Sequence, residues 1–148
     1  MGADLYISSE IKPLHEKLNP LFEDALKERD AIEDKDSKEY ELASEKVNGI
    51  YNELYPDTCY FRDSYNPSSV MWALDLSWWT DVIPMLDDEG NLSSEKAEEL
   101  VNMIEDREIE LRSDQEPLGE DYFQERKEAL LKFLRQSVDS GEPIECSL

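Results

Sequence analysis

The side chains best suited to catalysis are scarce in this sequence of 148 residues, which has one histidine and two cysteines. His15 lies in an amphipathic helical pattern without a serine or cysteine in a strained elbow motif beside it, which favours a surface histidine over a general base. Cys59 and Cys146 lie far apart and follow no secretion signal, which favours reduced thiols over a disulfide. We therefore predict no catalytic residue and no metal site, and interpret the protein as a non-enzyme.

Motifs that bind nucleotides or calcium are also missing from the sequence. No pair of glycines has the spacing of a phosphate-binding loop with its lysine. Gly90 follows three acidic residues, but an EF-hand loop with this glycine in sixth place would begin at Met85, where the motif requires Asp. A plain turn is the better interpretation of residues 87–91, and no cofactor is predicted.

An aromatic segment in the middle of the sequence could form a small-ligand pocket. Arg62 and Asp63 stand among aromatic residues there, and an arginine beside a carboxylate and aromatic walls can bind a ligand. The simpler interpretation is a core patch with one structural ion pair. Both interpretations stay open at this point. They concern the same residues: Tyr60, Arg62, Asp63, Tyr65, Trp78 and Asp81.

The charge distribution is the most informative feature of the sequence. The chain has 37 acidic and 15 basic residues, a formal net charge of -22. Residues 87–121 alone contain 14 acidic and 3 basic residues. At helical spacing Glu95 would face Glu99, and Asp106 would face Glu110. Each such like-charge pair opposes folding by about 0.2–0.5 kcal/mol. Glu95 is favoured by the dipole at the helix start and Glu108 is expected to reach Arg112, so the argument for binding applies to only some members of the cluster.

An acidic surface of this kind indicates which partners to expect. Carboxylates attract the lysine and arginine side chains of basic proteins and repel nucleic acid and anionic membranes. We therefore predict that the protein binds or blocks a basic protein, for which it could imitate the phosphate backbone of a duplex. Direct binding to nucleic acid or to a membrane is not expected. The alternative is a hydrated acidic face without a partner. The candidate partner-binding residues are Glu95, Glu98, Glu99, Glu105, Asp106, Glu108 and Glu110.

The composition predicts a folded, mainly helical protein. Charged residues make up 35% of the sequence and hydrophobic residues 39%, a combination that borders on disorder. Three Trp, seven Tyr and four Phe nevertheless supply large side chains for a core. We predict a single acidic helical domain over residues 1–148, with a helical hairpin and further helices around an aromatic core.

Short extended segments are predicted at both ends of the sequence. Apolar and polar residues alternate over residues 3–7, as in a strand. Gly141 is placed to end a helix and Pro143 prevents its continuation, so residues 143–148 are also predicted to be extended. The two ends could pair as a small ribbon.

The first half of the chain has a helical pattern. Apolar residues at spacings of three and four predict a hairpin of two helices that ends at Pro56, with a restart of the first helix near Pro20. Gly49 lies inside the second helix, where glycine opposes helix formation by about 1 kcal/mol. We therefore expect a close backbone contact at Gly49.

The second half is predicted to contain an aromatic loop and further helices. Residues 60–67 are predicted to form an ordered loop, and Ser77 to cap a short helix after it. Ser93 is predicted to cap a longer helix whose inner apolar stripe reaches Leu111. A last helix is predicted over residues 118–140, and it would bring the chain to the second extended segment.

Four stretches of the sequence carry a resemblance. They are the opening Met-Gly-Ala-Asp-Leu-Tyr-Ile, the middle Tyr-Phe-Arg-Asp-Ser-Tyr-Asn, the segment with Leu-Ser-Trp-Trp, and the closing Gly-Glu-Pro-Ile-Glu-Cys-Ser-Leu. Together they resemble a family of small bacterial and phage proteins. The resemblance implies a cytoplasmic protein in a mobile-element setting, where acidic inhibitors of basic host proteins occur, and it carries no activity, cofactor or catalytic residue.

Overall fold

The computed structural model describes residues 2–148 and shows a mainly helical chain with one small antiparallel sheet, which confirms the predicted fold class at this level. Among these residues, no helix has the length and apolar composition needed to cross a membrane. Trp78–Val82 forms a π-helical turn, and Ile83–Met85 and Glu116–Leu118 form 3₁₀ turns. The strands are β1 (Gly2–Tyr6), β2 (Tyr60–Ser64), β3 (Asn91–Leu92) and β4 (Ile144–Ser147), and the helices are α1 (Ser8–Asp30), α2 (Lys38–Leu54), α3 (Val70–Ala73), α4 (Ser94–Glu105) and α5 (Glu120–Ser140).

The sheet joins the two ends of the chain, in the strand order β2-β1-β4-β3. β1 pairs with β2 on one side and with β4 on the other, both antiparallel. Ala3 and Leu5 are buried on one face of β1, whereas Asp4 and Tyr6 lie on the other, as the two-residue period of a strand requires. The predicted pairing of the two ends is confirmed, with Leu5 opposite Cys146.

Gly2 allows β1 to approach β2 closely at one end of the sheet. A Cβ atom at this position would lie 2.5 Å from the carbonyl oxygen of Asp63, a backbone atom that no rotamer change can move. We expect Gly2→Ala to lower the free energy of unfolding by about 1–3 kcal/mol because the strands must shift apart. Urea denaturation measures this change. A loss below about 0.5 kcal/mol, typical of a neutral surface substitution, would contradict the close approach.

Residues 9–56 form one compact unit, which is an antiparallel helical hairpin as predicted. Residues early in α1 contact residues late in α2, and residues late in α1 contact earlier residues of α2. Near the start of α1, Nε2 of His15 lies 2.8 Å from the carbonyl oxygen of Leu54 at the end of α2. Near the end of α1, Oε2 of Glu28 lies 3.2 Å from Nζ of Lys46. The two helices are therefore antiparallel, with one contact early in α1 and one late in α1.

The first helix of the hairpin is continuous over 23 residues. The predicted restart near Pro20 is wrong, because this proline lies inside α1. Proline removes one backbone donor from the helix, which is a local loss. Leu18 and Ala25, on either side of Pro20, are both buried, so the burial of one helical face stabilises the helix across the proline.

Gly49 has no neighbour that explains its place in α2. A Cβ atom there would meet nothing within 4 Å, so the predicted close backbone contact is wrong. Glycine loses more backbone entropy on folding than alanine does, and we therefore expect Gly49→Ala to raise the free energy of unfolding by about 0.5–1 kcal/mol. Urea denaturation of the two proteins checks the sign. A lower free energy of unfolding for Gly49→Ala would mean that an atom lies closer to Gly49 than the structure shows.

Residues 2–8 and 57–148 form the second compact unit, and the prediction of a single domain over the whole chain stays a prediction. Within this unit α4 packs against α5. Leu100 and Ile104 of α4 and Phe123 of α5 are fully buried. Packing of the two helices therefore fixes which face of α4 is left to the solvent.

The aromatic cluster of the middle segment lies largely outside the buried core of this unit. Trp78 is buried, but the next residue, Trp79, exposes 61% of its surface. Trp72 and Tyr65 are also partly exposed. Successive residues of a helical turn point in different directions, so one turn cannot bury two adjacent tryptophans on the same side. The prediction of helices around an aromatic core is therefore wrong for this cluster.

Candidate functional site

α4 separates apolar side chains from acidic ones. Its first turn is capped by the hydroxyl of Ser93, which accepts a hydrogen bond from the backbone N–H of Lys96 at 3.2 Å. Ala97, Leu100 and Ile104 are fully buried at spacings of three and four residues, and they fix the orientation of the helix. The opposite face is exposed and carries Glu95, Glu98, Glu99 and Glu105.

All seven carboxylates predicted to bind a partner are exposed. Within residues 2–148, two of them form ion pairs, Glu99 with Lys96 at 3.1 Å and Glu105 with Arg135. Both pairs are solvent-exposed, where such pairs contribute about 0–1 kcal/mol to stability. The other five have no lysine or arginine nitrogen within ion-pair distance in the described chain. We call this set the acidic face: Glu95, Glu98, Glu99, Glu105, Asp106, Glu108 and Glu110.

α4 ends at Glu105, so the predicted helical stripe up to Leu111 is wrong in its second half. The loop after the helix is held on α3 by hydrogen bonds. The backbone N–H of Glu110 donates to the carbonyl oxygen of Ala73 at 2.8 Å. The guanidinium of Arg107 donates to two carbonyl groups just after α3. These tertiary bonds replace the helical bonds that continuation of α4 would have made.

The early end of α4 changes two contacts expected from helical spacing. Asp106 and Glu110 do not face each other across a turn of helix, so the expected like-charge pair is absent from this loop. Glu108 does not pair with Arg112, whose guanidinium instead lies over the ring of Trp72, 5.3 Å from its centroid. The loop thus keeps its carboxylates exposed while its two arginines contact the protein.

Arg62 and Asp63, the centre of the predicted small-ligand pocket, lie on opposite faces of β2. Asp63 is buried together with Phe61, whereas Arg62 is exposed. Residues 60–64 form a strand rather than part of the predicted loop, and a strand turns successive side chains to opposite sides. The expected ion pair between the two residues does not form, and Nε of Arg62 lies 3.7 Å from Oδ1 of Asp4 instead.

Asp63 is a buried carboxylate, 4% exposed, that is occupied by hydrogen bonds. Its Oδ2 accepts from the hydroxyl of Ser69 at 2.8 Å and from the indole N–H of Trp78 at 2.7 Å. Its Oδ1 accepts from the backbone N–H of Val70 at 3.1 Å. The carboxylate therefore joins β2 to the start of α3 and to the π-helical turn, which is a structural role.

A cavity of about 240 Å³ lies among the aromatic residues. The ring of Tyr65 meets that of Trp79 edge-on, 5.8 Å between centroids, and burial raises the pKa of the Tyr65 hydroxyl. The volume lies below the roughly 300–1,000 Å³ of typical small-molecule pockets. Its walls are Tyr65, Trp72, Ser77, Trp78 and Trp79.

Tyr60 and Asp81 lie away from this cavity. The hydroxyl of Tyr60 donates to Oδ1 of Asp4 at 2.7 Å, and burial together with this hydrogen bond raises the pKa of the tyrosine. Oδ2 of Asp81 accepts from the backbone N–H of Ser77 at 2.8 Å and so caps the turn. The six residues predicted for one small-ligand pocket therefore do not surround a single cavity.

The side chains that could act as a base or nucleophile have structural surroundings. Nε2 of His15 donates to the carbonyl oxygen of Leu54 at the end of the hairpin. Cys59 is buried and Cys146 is partly buried, and neither forms a disulfide. Burial raises the pKa of Cys146 to about 12, and nearby carboxylates add to the shift. Within the described residues, no group of three His, Cys, Asp or Glu side chains is arranged to hold a metal ion.

We expect Cys146 to be alkylated slowly at pH 8 and faster as the pH approaches 12. The thiolate is the reactive form, and a pKa raised from 9.0 to about 12 keeps the thiol protonated in the folded protein. As the pH rises, the unfolded chain loses this proton before the folded protein does. The contribution of the protonated thiol to the free energy of unfolding is therefore complete below about pH 9 and is lost as the pH rises to about 12. Iodoacetamide labelling followed by mass spectrometry, with the urea-unfolded chain as control, measures the rate. Equal rates in both states at pH 8 would contradict the shift.

The structure adds one arginine that the sequence pattern does not single out. The guanidinium carbon of Arg126 lies 4.5 Å from the ring centroid of Phe61, and its NH2 group donates to the carbonyl oxygen of Arg62. The two arginines line a cavity of about 410 Å³. They are 64 residues apart in the chain, so only the fold brings them together.

A scan against protein-family models and searches of the curated proteins and of the solved structures find no match to this chain.

Proposed function

We propose that the protein is an acidic protein–protein interaction module that binds a basic protein through the acidic face. At long range, the carboxylates attract a positively charged surface and raise the rate of encounter. On contact, they accept charge-assisted hydrogen bonds from lysine and arginine side chains. Nucleic acid is not the proposed partner, because the same charges repel phosphate groups.

The exposure of all seven carboxylates supports this proposal most strongly, four of them on α4 and three in the loop after it, which is hydrogen-bonded to α3. α4 is anchored by Ala97, Leu100 and Ile104, which are fully buried. The helix therefore presents its glutamates at fixed spacing, and a partner does not have to order them on binding. Exposed like charges at helical spacing do not stabilise the helix. Folding therefore does not account for their presence, whereas recognition of a cationic surface does.

The ion pairs within the chain illustrate the contacts that a partner would make. Lys96 pairs with Glu99 and Arg135 pairs with Glu105, both on the exposed side of α4. Such exposed pairs are weak, so a partner's lysine or arginine can replace the internal cation with little loss of free energy. Glu95 and Glu98 offer the same chemistry without an internal cation in the described chain.

The charge density of α4 is lower than that of a DNA duplex, which favours a general attraction to basic proteins over close imitation of duplex phosphates. Residues 95–106 carry five of the carboxylates, over about 16 Å of helix axis at 1.5 Å per residue. This is about one charge per 3 Å, against one per 1.7 Å in a duplex and one per 3.4 Å in a single strand. Pairing with Lys96 and Arg135 lowers the density further.

Capture from a lysate of the source organism on immobilised protein tests the proposal. The wild-type chain is expected to retain a protein of high isoelectric point at low salt and to release it at high salt, because surface charges are screened. A variant of the acidic face in which four carboxylates become amides is expected to lose this protein. The four substitutions are Glu95→Gln, Glu98→Gln, Asp106→Asn and Glu108→Gln.

A charge-matched control separates the acidic face from net charge. Four exposed glutamates of the helical hairpin are replaced, which gives the same net charge as the first variant. This control is expected to retain the basic protein. Equal loss in both variants would show that overall charge alone is responsible, and no loss in the variant of the acidic face would also contradict the proposal. The control substitutions are Glu16→Gln, Glu23→Gln, Glu45→Gln and Glu53→Gln.

A further inference from the structure

The cavity of about 410 Å³ is lined by two arginines, although the protein as a whole is acidic. It lies where β2, the loop after it and α5 meet, and Arg62 and Arg126 both line it. Two guanidinium groups thus line one cavity in a chain of net charge -22. The remaining walls are polar and come mainly from Ser64, Asn66 and Tyr122.

Arg126 is held in place without a carboxylate partner. Its NH2 group donates to the carbonyl oxygen of Arg62, and its guanidinium lies over the ring of Phe61. It forms no ion pair with a carboxylate in the part of the chain that the structure describes. Tyr122 precedes it by four residues on α5, a spacing that places both side chains on one face of the helix. Arg126 therefore keeps an unneutralised charge at the cavity.

Asn66 supplies a donor of defined orientation. Its Oδ1 accepts from the backbone N–H of Ser68 at 2.9 Å and from the hydroxyl of Ser64 at 2.9 Å. A backbone N–H can only donate, so the atom that faces it must be the amide oxygen. The Nδ2 group therefore points away from Ser68, and Asn66 itself is one of the residues that line the cavity.

The one carboxylate among the lining residues does not compete for these donors. Asp63 is buried, and its oxygens are occupied by Ser69, Val70 and Trp78. Arg62 has a carboxylate neighbour at Nε, where Asp4 lies 3.7 Å away. The cavity is thus lined mostly by groups that donate hydrogen bonds, and two of these groups are cationic.

We infer that this cavity binds a small-molecule phosphate monoester, with Arg62 and Arg126 on the phosphate group. Guanidinium groups match the geometry of phosphate oxygens and form paired hydrogen bonds with them. The volume falls within the roughly 300–1,000 Å³ of small-molecule pockets, so an organic group as well as the phosphate can fit beside Tyr122. The inference concerns a different surface from the acidic face and does not depend on the proposed function.

Nuclear magnetic resonance titration with phenyl phosphate, inorganic phosphate and phenol at constant ionic strength tests the inference. Phenyl phosphate is expected to cause saturable shifts of the backbone amide signals of Ser64, Asn66 and Ser68. It is expected to bind more tightly than inorganic phosphate, and phenol is expected to cause no saturable shift. Equal affinity for the two phosphates would overturn the assignment to a monoester, and absence of saturable shifts would overturn the site.

Three variants decide whether the named side chains form the site. Arg126→Gln removes one cation, and Asn66→Asp keeps an acceptor oxygen for Ser68 while it replaces the Nδ2 donor with negative charge. Each is expected to weaken phenyl phosphate binding at least tenfold. Arg135→Gln, which removes an exposed arginine elsewhere on α5, is the matched control and is expected to bind as the wild type does. Unchanged affinity in Asn66→Asp would overturn the site even if Arg126→Gln fails to fold.

Discussion

Replacement of Asp63 by alanine is expected to lower the free energy of unfolding by about 3–5 kcal/mol. The substitution leaves buried donors of Ser69, Val70 and Trp78 without their acceptor, and each unsatisfied buried group costs about 1–3 kcal/mol. This is a large part of the stability of a domain, about 5–15 kcal/mol in total. Urea denaturation followed by circular dichroism measures the change.

Asp81 provides the matched control for this prediction. It lies in the same π-helical turn as Trp78, but its carboxylate accepts a single hydrogen bond, from the backbone N–H of Ser77. Asp81→Ala is expected to cost about 1 kcal/mol, as for the loss of a helix cap. If Asp63→Ala were no more destabilising than Asp81→Ala, the carboxylate of Asp63 would not be the centre of a buried network. Trp78→Phe, which removes one donor, is expected to fall between the two.

The association rate is expected to show the largest functional effect. Once the captured basic protein is purified, conversion of four acidic-face carboxylates to amides is expected to lower its association rate constant roughly tenfold at low ionic strength, because steering depends on these charges. The rate of the wild-type chain is expected to fall steeply with salt, and the rate of the variant to depend on salt less. Stopped-flow measurements over a salt series compare the two.

The hairpin variant is the control for this rate as well. It carries the same net charge but retains every carboxylate of the acidic face, and its rate is expected to stay within about twofold of the wild-type rate. Two results would contradict a local role for α4. One is an equal decrease in both variants, and the other is a salt dependence that the substitutions in the acidic face leave unchanged.

Features of the fold that have local causes could be predicted from the sequence. Ser93 caps α4, and Gly141 ends α5 in the left-handed conformation, with φ of 72°. Capping oxygens and glycines at positive φ act on neighbouring backbone groups, so their effect is visible in a short segment. The alternation over residues 3–7 likewise predicted β1, and the extended ends do pair.

Features set by tertiary contacts could not be predicted in this way. The helical pattern after Ser93 continues to Leu111, but α4 ends at Glu105 because the following loop bonds to α3. Pro20 reads as a break, yet burial on both sides of it keeps α1 continuous. In each case a contact between distant parts of the chain outweighs a local preference of about 1–3 kcal/mol.

The candidate sites also combine features with local causes and features set by tertiary contacts. Exposure of Glu95, Glu98, Glu99 and Glu105 followed from helical periodicity, because residues between buried positions on an amphipathic helix face the solvent. The pairing of Glu105 with Arg135 was not foreseeable, since it depends on how α4 packs against α5. The residues predicted for one small-ligand pocket are divided between two cavities, because Arg62 and Asp63 line one and Tyr65 and Trp78 line the other. Nothing in the sequence indicates that Arg126 lies near Arg62 in the fold.

Zero-length carbodiimide crosslinking of the complex with the captured protein identifies the carboxylates that bind it. The reagent joins carboxylates to amines that touch, and mass spectrometry then identifies the linked residues. If the acidic face binds the basic protein, we expect its lysines to be linked mainly to Glu95, Glu98, Asp106 and Glu108. Links spread evenly over the exposed carboxylates, or concentrated on the helical hairpin at Glu16, Glu23, Glu45 and Glu53, would contradict it.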